Sequence, residues 1–413
     1  MPAPRAFTLT FVGDVMLGRL VDQLWPQHVD NAREQRIITT FIERHPYLAS
    51  YTHRDPWGSA LRLFHASDLN LINLETAATT TNTPWPNKTF NYRMHPANTL
   101  AALKEADIDY VCLANNHTLD FGTDGLVETI WTLKEGKVPF AGAGETTDES
   151  RRPAVLSLPS QKSSRIQGSE GEGEGEGGGG GGGAGQGKHK IHVFSATDHP
   201  KDWAAVPTFH LIDYSATSRR HLKNVLTAAW PSSAADGSGI PKPSANNASG
   251  PGSDPEAPPA LKIFSVHWGP NYAWQPAAEI RALAHFVIDE CGVDIVHGHS
   301  AHHVQGVERY KGKVIIYGCG DFVDDYALTE EFRNDLGAVW RVVVSENDGG
   351  GLGLERLDIF PSRIDRFQAS LLDADDEDHG WVRRTVGRLS RELGTSVRPE
   401  LGGEGQIVVD LGE

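Results

Sequence analysis

Six short apolar runs in this chain each stop on a side chain suited to binding a cation or moving a proton. That repeated ending constrains the fold more than any other feature. FTLTFVGD reaches Asp14, LNLINLET reaches Glu75, and YVCLANNH reaches Asn115, Asn116 and His117. LKIFSVHWG contains His267, VDIVHGHS contains His297 and His299, and VIIYGCGD ends at Asp321. Runs of this length and composition read as buried strands. Helical patterns lie between several of them. PANTLAALKEA sets Leu100 and Leu103 on one face, and TDGLVETIWTLKEG does the same with Leu126, Ile130 and Leu133. PAAEIRALAHFVIDECG carries an apolar face and stops at Gly292, a plausible C-terminal cap. Strands alternating with helices imply an α/β sheet architecture. In such sheets functional groups gather outside the carboxyl ends of the strands. One polar ending is ordinary loop chemistry, whereas six point to a shared site.

The densest ending is VHGHSAHHVQG, which holds His297, His299, His302 and His303 within seven positions. A lone histidine at a strand end is more often a hydrogen-bonded core residue than a ligand. Burying four imidazoles without a common task is costly, so the cluster reverses that preference. Asp14, Glu75, Asn116, His267, His299 and His302 form a mixed oxygen and nitrogen set that suits zinc, iron or manganese, one or two ions per chain. No cysteine lies near them, which argues against a structural zinc site. Each has a plainer alternative. Glu75 could cap a helix, and Asn115 with Asn116 could form an Asx turn. His210, His221, His285 and His379 lie on segments without converging partners and read as structural.

Two tracts dilute this pattern. One lies within about 160–190 and contains seven consecutive glycines, and the other spans about 231–260 and is rich in Pro, Ser, Ala and Gly. Neither can bury enough apolar surface to offset its ordering entropy, so both read as flexible insertions. They leave a domain of 1–372, followed by an acidic segment and C-terminal extension over 373–413. The net charge of −16, without any cluster of Lys and Arg, argues against nucleic acid as a partner. Three cysteines without CxxC spacing suit reduced thiols. The N-terminus enters a strand at once and no 18-residue apolar run occurs, so the expectation is a cytoplasmic protein without a membrane span. Oligomeric state is not legible. There is no GxSxG elbow, no Walker loop and no GxGxxG between strand and helix.

Eight segments taken together carry a resemblance. FVGDVMLGR, LINLETAAT, NYRMHPAN, LANNHTLDFGTDGL, AGAGET, VHWGPN, VHGHSAHHVQGVE and IIYGCGDFVDDY resemble, in order, the CapA family of poly-γ-glutamate (capsule) synthesis proteins, over about residues 7 to 368. That family is similar to the calcineurin-like metallophosphoesterases. The resemblance implies a four-layer α/β/β/α sandwich with a metal centre at one edge of two sheets. It puts Asp14 in the place of the first metal aspartate and Glu75 in that of a bridging acid. Asn116 and His117 take the places of the Asn-His pair, in which Asn binds metal and His is the catalytic acid. His267 matches the lone metal histidine, and His299 with His302 the final pair. Two positions depart from the pattern. Met16 stands where those enzymes carry a histidine, and the final pair is spaced His299-Ser300-Ala301-His302, with His297 and His303 as rivals or outer supports.

Arg93 and Asn115 then become candidates for binding an anionic substrate. Asp321 offers a further carboxylate at the same edge. The expected activity is a metal-dependent hydrolase acting on a phosphoester or an anionic amide polymer such as a polyglutamate. The alternatives are a non-catalytic accessory protein that binds such a polymer or its assembly machinery, and a purely structural metal.

Overall fold

The computed structural model describes residues 5–159, 189–230 and 258–412, and five of the six marked runs become single strands or strand ends. The chain begins with β1 (Ala6–Val15) and β2 (Leu69–Leu74), then the short parallel pair β3 (Ala77–Ala78) and β4 (Arg93–Met94), then β5 (Tyr110–Cys112) and β6 (Phe140–Ala141). The antiparallel pair β7 (Ala154–Leu158) and β8 (His189–Thr197) follows, with Leu158 opposite His189. Next come β9 (Leu261–His267), β10 (Ile295–His299), β11 (Val307–Tyr310), β12 (Lys313–Ile316) and β13 (Asp321–Val323). The long β14 (Leu336–Glu346) and β15 (Leu352–Asp365), then β16 (Gln368–Leu371) and β17 (Ile407–Asp410), complete the set.

The exception among the runs is VIIYGCGD. Its Gly318-Cys319-Gly320 stretch breaks it, so Asp321 opens β13 instead of closing β12. Gly320 adopts φ 79°, a left-handed conformation that glycine takes at little cost. The break carries the chain from one sheet to the other, because β12 pairs with β10 while β13 pairs with β1.

Among the described residues these strands form two large sheets beside the β3–β4 pair. In the first the order is β16-β15-β14-β1-β2-β5-β6, with β13 also beside β1 and β17 beside β15. In the second the order is β11-β12-β10-β9-β8-β7. β1 runs parallel to β2 and β13, and β9 runs parallel to β8 and β10, so in each sheet the carboxyl ends of neighbouring central strands lie side by side.

The helices are α1 (Ala32–Arg44), α2 (Leu61–His65), α3 (Pro96–Glu105), α4 (Gly122–Glu135), α5 (Thr147–Arg151), α6 (Ala216–Thr227), α7 (Ala278–Cys291) and α8 (Glu377–Glu392). α7 ends at Gly292 with φ 69°, the left-handed cap expected there. Alternation in β1 shows how the core divides. Val12 and Val15 join Leu103, Leu126 and Ile130 of the α3–α4 side, whereas Phe7, Leu9 and Phe11 join Val193, Ile263, Ile295 and Val314 of the second sheet. The opposite face of the second sheet, through Phe194, Phe264 and Val296, packs on Leu222 of α6 and Leu283 and Val287 of α7. Each fully buried Leu, Ile, Val or Phe contributes about 1.5–3 kcal/mol, so these contacts fix the sheets relative to their helices.

The C-terminal stretch takes part in this packing. β17 pairs with β15, and Val382 and Val386 of α8 join the intersheet cluster. The acidic run is ion-paired in part. Asp376 caps α8 and, with Asp378, receives Arg363, while Arg333 also reaches Asp378. The low-complexity tracts lie outside the described residues, except that His189 and Lys190 belong to β8 and residues 258–260 lead into β9. All three cysteines are buried free thiols. Among the described residues no helix is long and apolar enough to cross a membrane.

Candidate metal centre

The site forms where the carboxyl ends of the two sheets meet. In the first sheet Asp14 lies in register with Asn73 of β2 and Asp321 of β13. In the second His267 lies in register with His299 on one side and Thr197 on the other. Two glycines make the approach possible. A side chain at Gly13 would sit 2.0 Å from the Gly320 carbonyl oxygen, and one at Gly298 would sit 2.3 Å from that of Tyr317. Both contacts are sterically impossible, so the residue before Asp14 and the one between His297 and His299 have to be glycine.

Asp14 is fully enclosed. Its Oδ1 accepts from Asn73 Nδ2 at 2.7 Å and its Oδ2 from the Ser300 N–H at 3.2 Å. Nδ1 of His267 and Nδ1 of His299 stand 2.9 Å apart and face Asp14 Oδ1 at 3.8 and 3.9 Å. The turn after β10 then bends sharply, with Ser300 at φ 95° and His302 at φ 60°, conformations costly for residues other than glycine. That bend aims the Ser300 N–H at Asp14 and brings His302 Nδ1 within 2.8 Å of Asp321 Oδ1 and 3.7 Å of Asp14 Oδ2.

Two sets of side chains are close enough to share an ion: Asp14, His267 and His299, and Asp14, Glu75, His302 and Asp321. Within each set one ligand atom per residue lies within 4.8 Å of all the others. Asp14 is common to both. Glu75 Oε1 lies 3.9 Å from His267 Nε2 and 3.9 Å from His117 Nε2, while its Oε2 accepts from the Tyr326 hydroxyl at 3.3 Å. Asn116 stands at the rim of the adjoining cleft.

The electrostatics are those of a site short of positive charge. Burial, and then the neighbouring Asp14, push the Glu75 and Asp321 carboxyls well above the usual range. Asp324 is raised by burial and by Asp321. Burial holds His267 and His299 well below the ordinary imidazole value, so both are neutral, the form that binds metal. Glu75 Oε1, Asn116 Oδ1, His267 Nε2 and Asp321 Oδ2 are buried and have no hydrogen-bond partner among the described residues. Each such atom costs about 1–3 kcal/mol, more when charged. Divalent cations held by the two sets would offer such atoms partners, and the oxygen and imidazole donors fit zinc, iron or manganese.

His117 is oriented from outside. Its Nδ1–H donates to Asp120 Oδ2 at 2.6 Å, Lys88 ion-pairs with the other Asp120 oxygen, and the Tyr92 ring stacks on the imidazole at 3.8 Å. Burial lowers its pKa to about 4 against the opposing pull of Asp120, so Nε2 carries a free lone pair at neutral pH. A cleft of about 260 Å³ opens beside it, lined by Lys88, Tyr92, Asn116, Tyr272, His302 and Tyr326 among others.

The remaining candidates fall elsewhere. Asn115 is buried, donates to Asn73 Oδ1 and the Leu74 carbonyl, and accepts the His117 N–H, which is the Asx-turn alternative. His297 spends both ring nitrogens on Ser265 Oγ and the Val12 carbonyl, and Ser265 Oγ also meets His299 Nε2 at 3.1 Å, so His297 supports His299 from behind. His303 turns toward the Tyr272, Trp274 and Phe332 rings. Arg93 lines a separate cavity. His210 and His379 are buried, bonded to the carbonyls of Ser195 and Gly405.

Sequence reasoning missed Asn73, which links Asp14 to Asn115. It also missed His199, whose ring lies 5.1 Å from that of His267 and which is bound to Asp198. IHVFSATDH was a seventh apolar run with a polar ending, overlooked because it emerges directly from the glycine tract.

Residues 8–326 match the family described as bacterial capsule synthesis protein PGA_cap. A Mycobacterium tuberculosis protein named "Probable polyglutamine synthesis accessory protein" is 33% identical over 96% of this chain and 95% of its own length. "Capsule biosynthesis protein CapA" of Bacillus anthracis is 24% identical over 78% of this chain and 61% of its own length. "PGA biosynthesis protein CapA" of Bacillus subtilis is 22% identical over 85% and 71%.

Proposed function

The chain belongs to this family of bacterial capsule synthesis proteins, and on that premise we propose that it acts in poly-γ-glutamate metabolism as a metal-dependent hydrolase with a phosphoesterase-like site. The observation that carries the reading is a pair of ligand sets sharing Asp14 where the two sheets meet, with buried, unpartnered atoms on Glu75, His267 and Asp321 among them. The three apolar clusters, with helices on the outer side of each sheet, support the four-layer α/β/β/α sandwich of the metallophosphoesterases.

Asp14, His267 and His299 would hold one ion, and Asp14, Glu75, His302 and Asp321, with Asn116, a second. When bound, such an ion supplies Lewis acidity toward a phosphoryl or carbonyl oxygen and a more acidic water. The protein's own part centres on His117. Asp120 fixes its tautomer, so Nε2 is presented toward Glu75 and the cleft. There Nε2 takes a proton from the attacking water, and once protonated it returns a proton to the leaving group. Tyr92 covers one face of the imidazole and is itself backed by Tyr326.

The test pairs His117→Ala with mass spectrometry of bound metal. General acid–base assistance is worth about 10²–10⁴-fold, so turnover should fall by that factor while metal content holds. The printed name of the M. tuberculosis relative favours a second reading, a binding protein without turnover. Wild-type protein that retains metal and binds γ-glutamyl polymer, yet cleaves neither phosphoesters nor γ-glutamyl amides, would establish that reading instead.

A further inference from the structure

The segment from Lys88 to Arg93 is a wall between two cavities. Lys88, Phe90 and Tyr92 line the cleft at the metal centre, Asn91 and Arg93 line the neighbouring cavity of about 270 Å³, and Thr89 lines both. One short stretch therefore furnishes side chains to both spaces.

The second cavity has its own chemistry. Arg93 donates to the carbonyl oxygens of Thr80, Thr81 and Asp30 and lies over the Phe121 ring at 4.8 Å. Among the described residues no carboxylate comes within ion-pairing distance of it, although Glu34, Asp22 and Asp30 act on it from farther off. Arg19 reaches the same cavity with a left-handed backbone, φ 52°, held there by Asp325 and by its N–H bond to the Arg93 carbonyl. Two wall residues, Gln23 and Asn91, carry amide oxygens that are buried without a donor. Glu34, also in the wall, is pushed up to about 7 by burial, so near neutrality much of it is uncharged and repels an incoming anion less. A guanidinium fork matches a carboxylate, and an amide N–H matches an orphaned carbonyl oxygen.

We propose that this cavity is a second subsite, which holds a carboxylate-bearing amide unit of the polymer through Arg93 while another unit of the same strand occupies the metal cleft. The inference rests on the polyglutamate reading and extends it. The protein grips two points along one chain, and so discriminates by length.

The test measures binding of fluorescein-labelled γ-glutamyl oligomers, from monomer to decamer, to metal-loaded protein by anisotropy. Wild type should bind long oligomers at least tenfold more tightly than short ones. Arg93→Gln should lose about ten- to a hundredfold for long oligomers, the size of one charge-assisted contact, and flatten the length dependence. Metal content and unfolding temperature serve as controls on the fold. Asn82→Asp provides an independent variant, because Asn82 is exposed at the cavity wall and the change adds only a negative charge. It should weaken the long oligomers selectively. Unchanged length dependence in both variants would overturn the second subsite while leaving the polymer reading intact. Wild type that binds no oligomer of any length would overturn the polymer reading, and this inference with it.

Discussion

Replacing Asp321 by Asn is expected to stabilise the metal-free protein while shrinking the further stabilisation that added metal provides. Asp14, Glu75 and Asp321 place their oxygens within 4.8 Å of one another, and all three carboxyls are raised by burial. Two unit charges at that distance in an effective dielectric of about 20 repel by roughly 3.5 kcal/mol. Burial, which raises all three carboxyls, favours their protonated forms and so lessens this repulsion. Removing one acid while keeping its shape should therefore stabilise the metal-free protein by about 1–3 kcal/mol. Asn still accepts from His302 Nδ1, so that contact survives. With metal that gain is offset. Loss of a ligand should weaken affinity at least as much as loss of a supporting residue, about 10–100-fold. The stabilisation by excess ion then falls by about 1.4–2.7 kcal/mol. For a chain of this length 1 kcal/mol corresponds to about 1 °C, so scanning calorimetry in EDTA and in excess Mn²⁺ or Zn²⁺ should resolve both changes. If Asp321 served only as a hydrogen-bond acceptor for His302, Asn would weaken a charge-assisted bond and lower stability equally in the two conditions. Equal lowering, with an undiminished shift on adding metal, would refute the reasoning.

Other outcomes follow from separate parts of the molecule. Glu34 has a folded pKa of about 7 against an ordinary 4.5, so the folded state holds its proton more tightly and stability should decline as pH rises between those values. Because Glu34 is partly exposed, the effect should be about 1 kcal/mol, less than the shift alone implies. Glu34→Gln should remove that slope in urea titrations, leaving stability unchanged near pH 4 and higher near pH 8; an unaltered slope would count against it. Gly298→Ala would press a methyl group into the Tyr317 and Ile316 carbonyls, and should cost about 3 kcal/mol or more and deplete metal; native stability in that variant would contradict the close approach. Residues 160–188 join strands whose ends, Leu158 and His189, are already paired, so a short turn in their place should leave cooperative unfolding intact and add about 1–2 kcal/mol through reduced closure entropy. Loss of cooperativity would show that the tract contributes to packing.

Much of the site was legible in the chain because strand endings are local. An apolar run that stops at Asp14, Glu75 or His267 announces both the strand and the edge at which its last side chain emerges, and the alternation of runs with helices fixes the class as α/β. The histidine cluster stood out for the cost of burying four imidazoles, but only His299 and His302 join the candidate ligand sets, while His303 turns to aromatic rings. What no local pattern carries is which endings face one another. His297 and His299 sit two residues apart on one strand and on the same face, yet one is tied to the Val12 carbonyl and the other faces Asp14. The approach of β1 and the left-handed turn at Ser300 and His302 decide that. Asn115 reads like Asn116 in sequence, but Asn73 of a neighbouring strand claims it. Asp321 looked like a strand's end and proved to be a strand's beginning, because the Gly318-Cys319-Gly320 break hands the chain from one sheet to the other. Arg93 belongs to a second cavity, while its neighbour Tyr92 lines the metal cleft. Periodicity specifies the side of an element on which a residue lies. The space on that side is decided by packing between strands and helices far apart in sequence, and only the tertiary structure contains it.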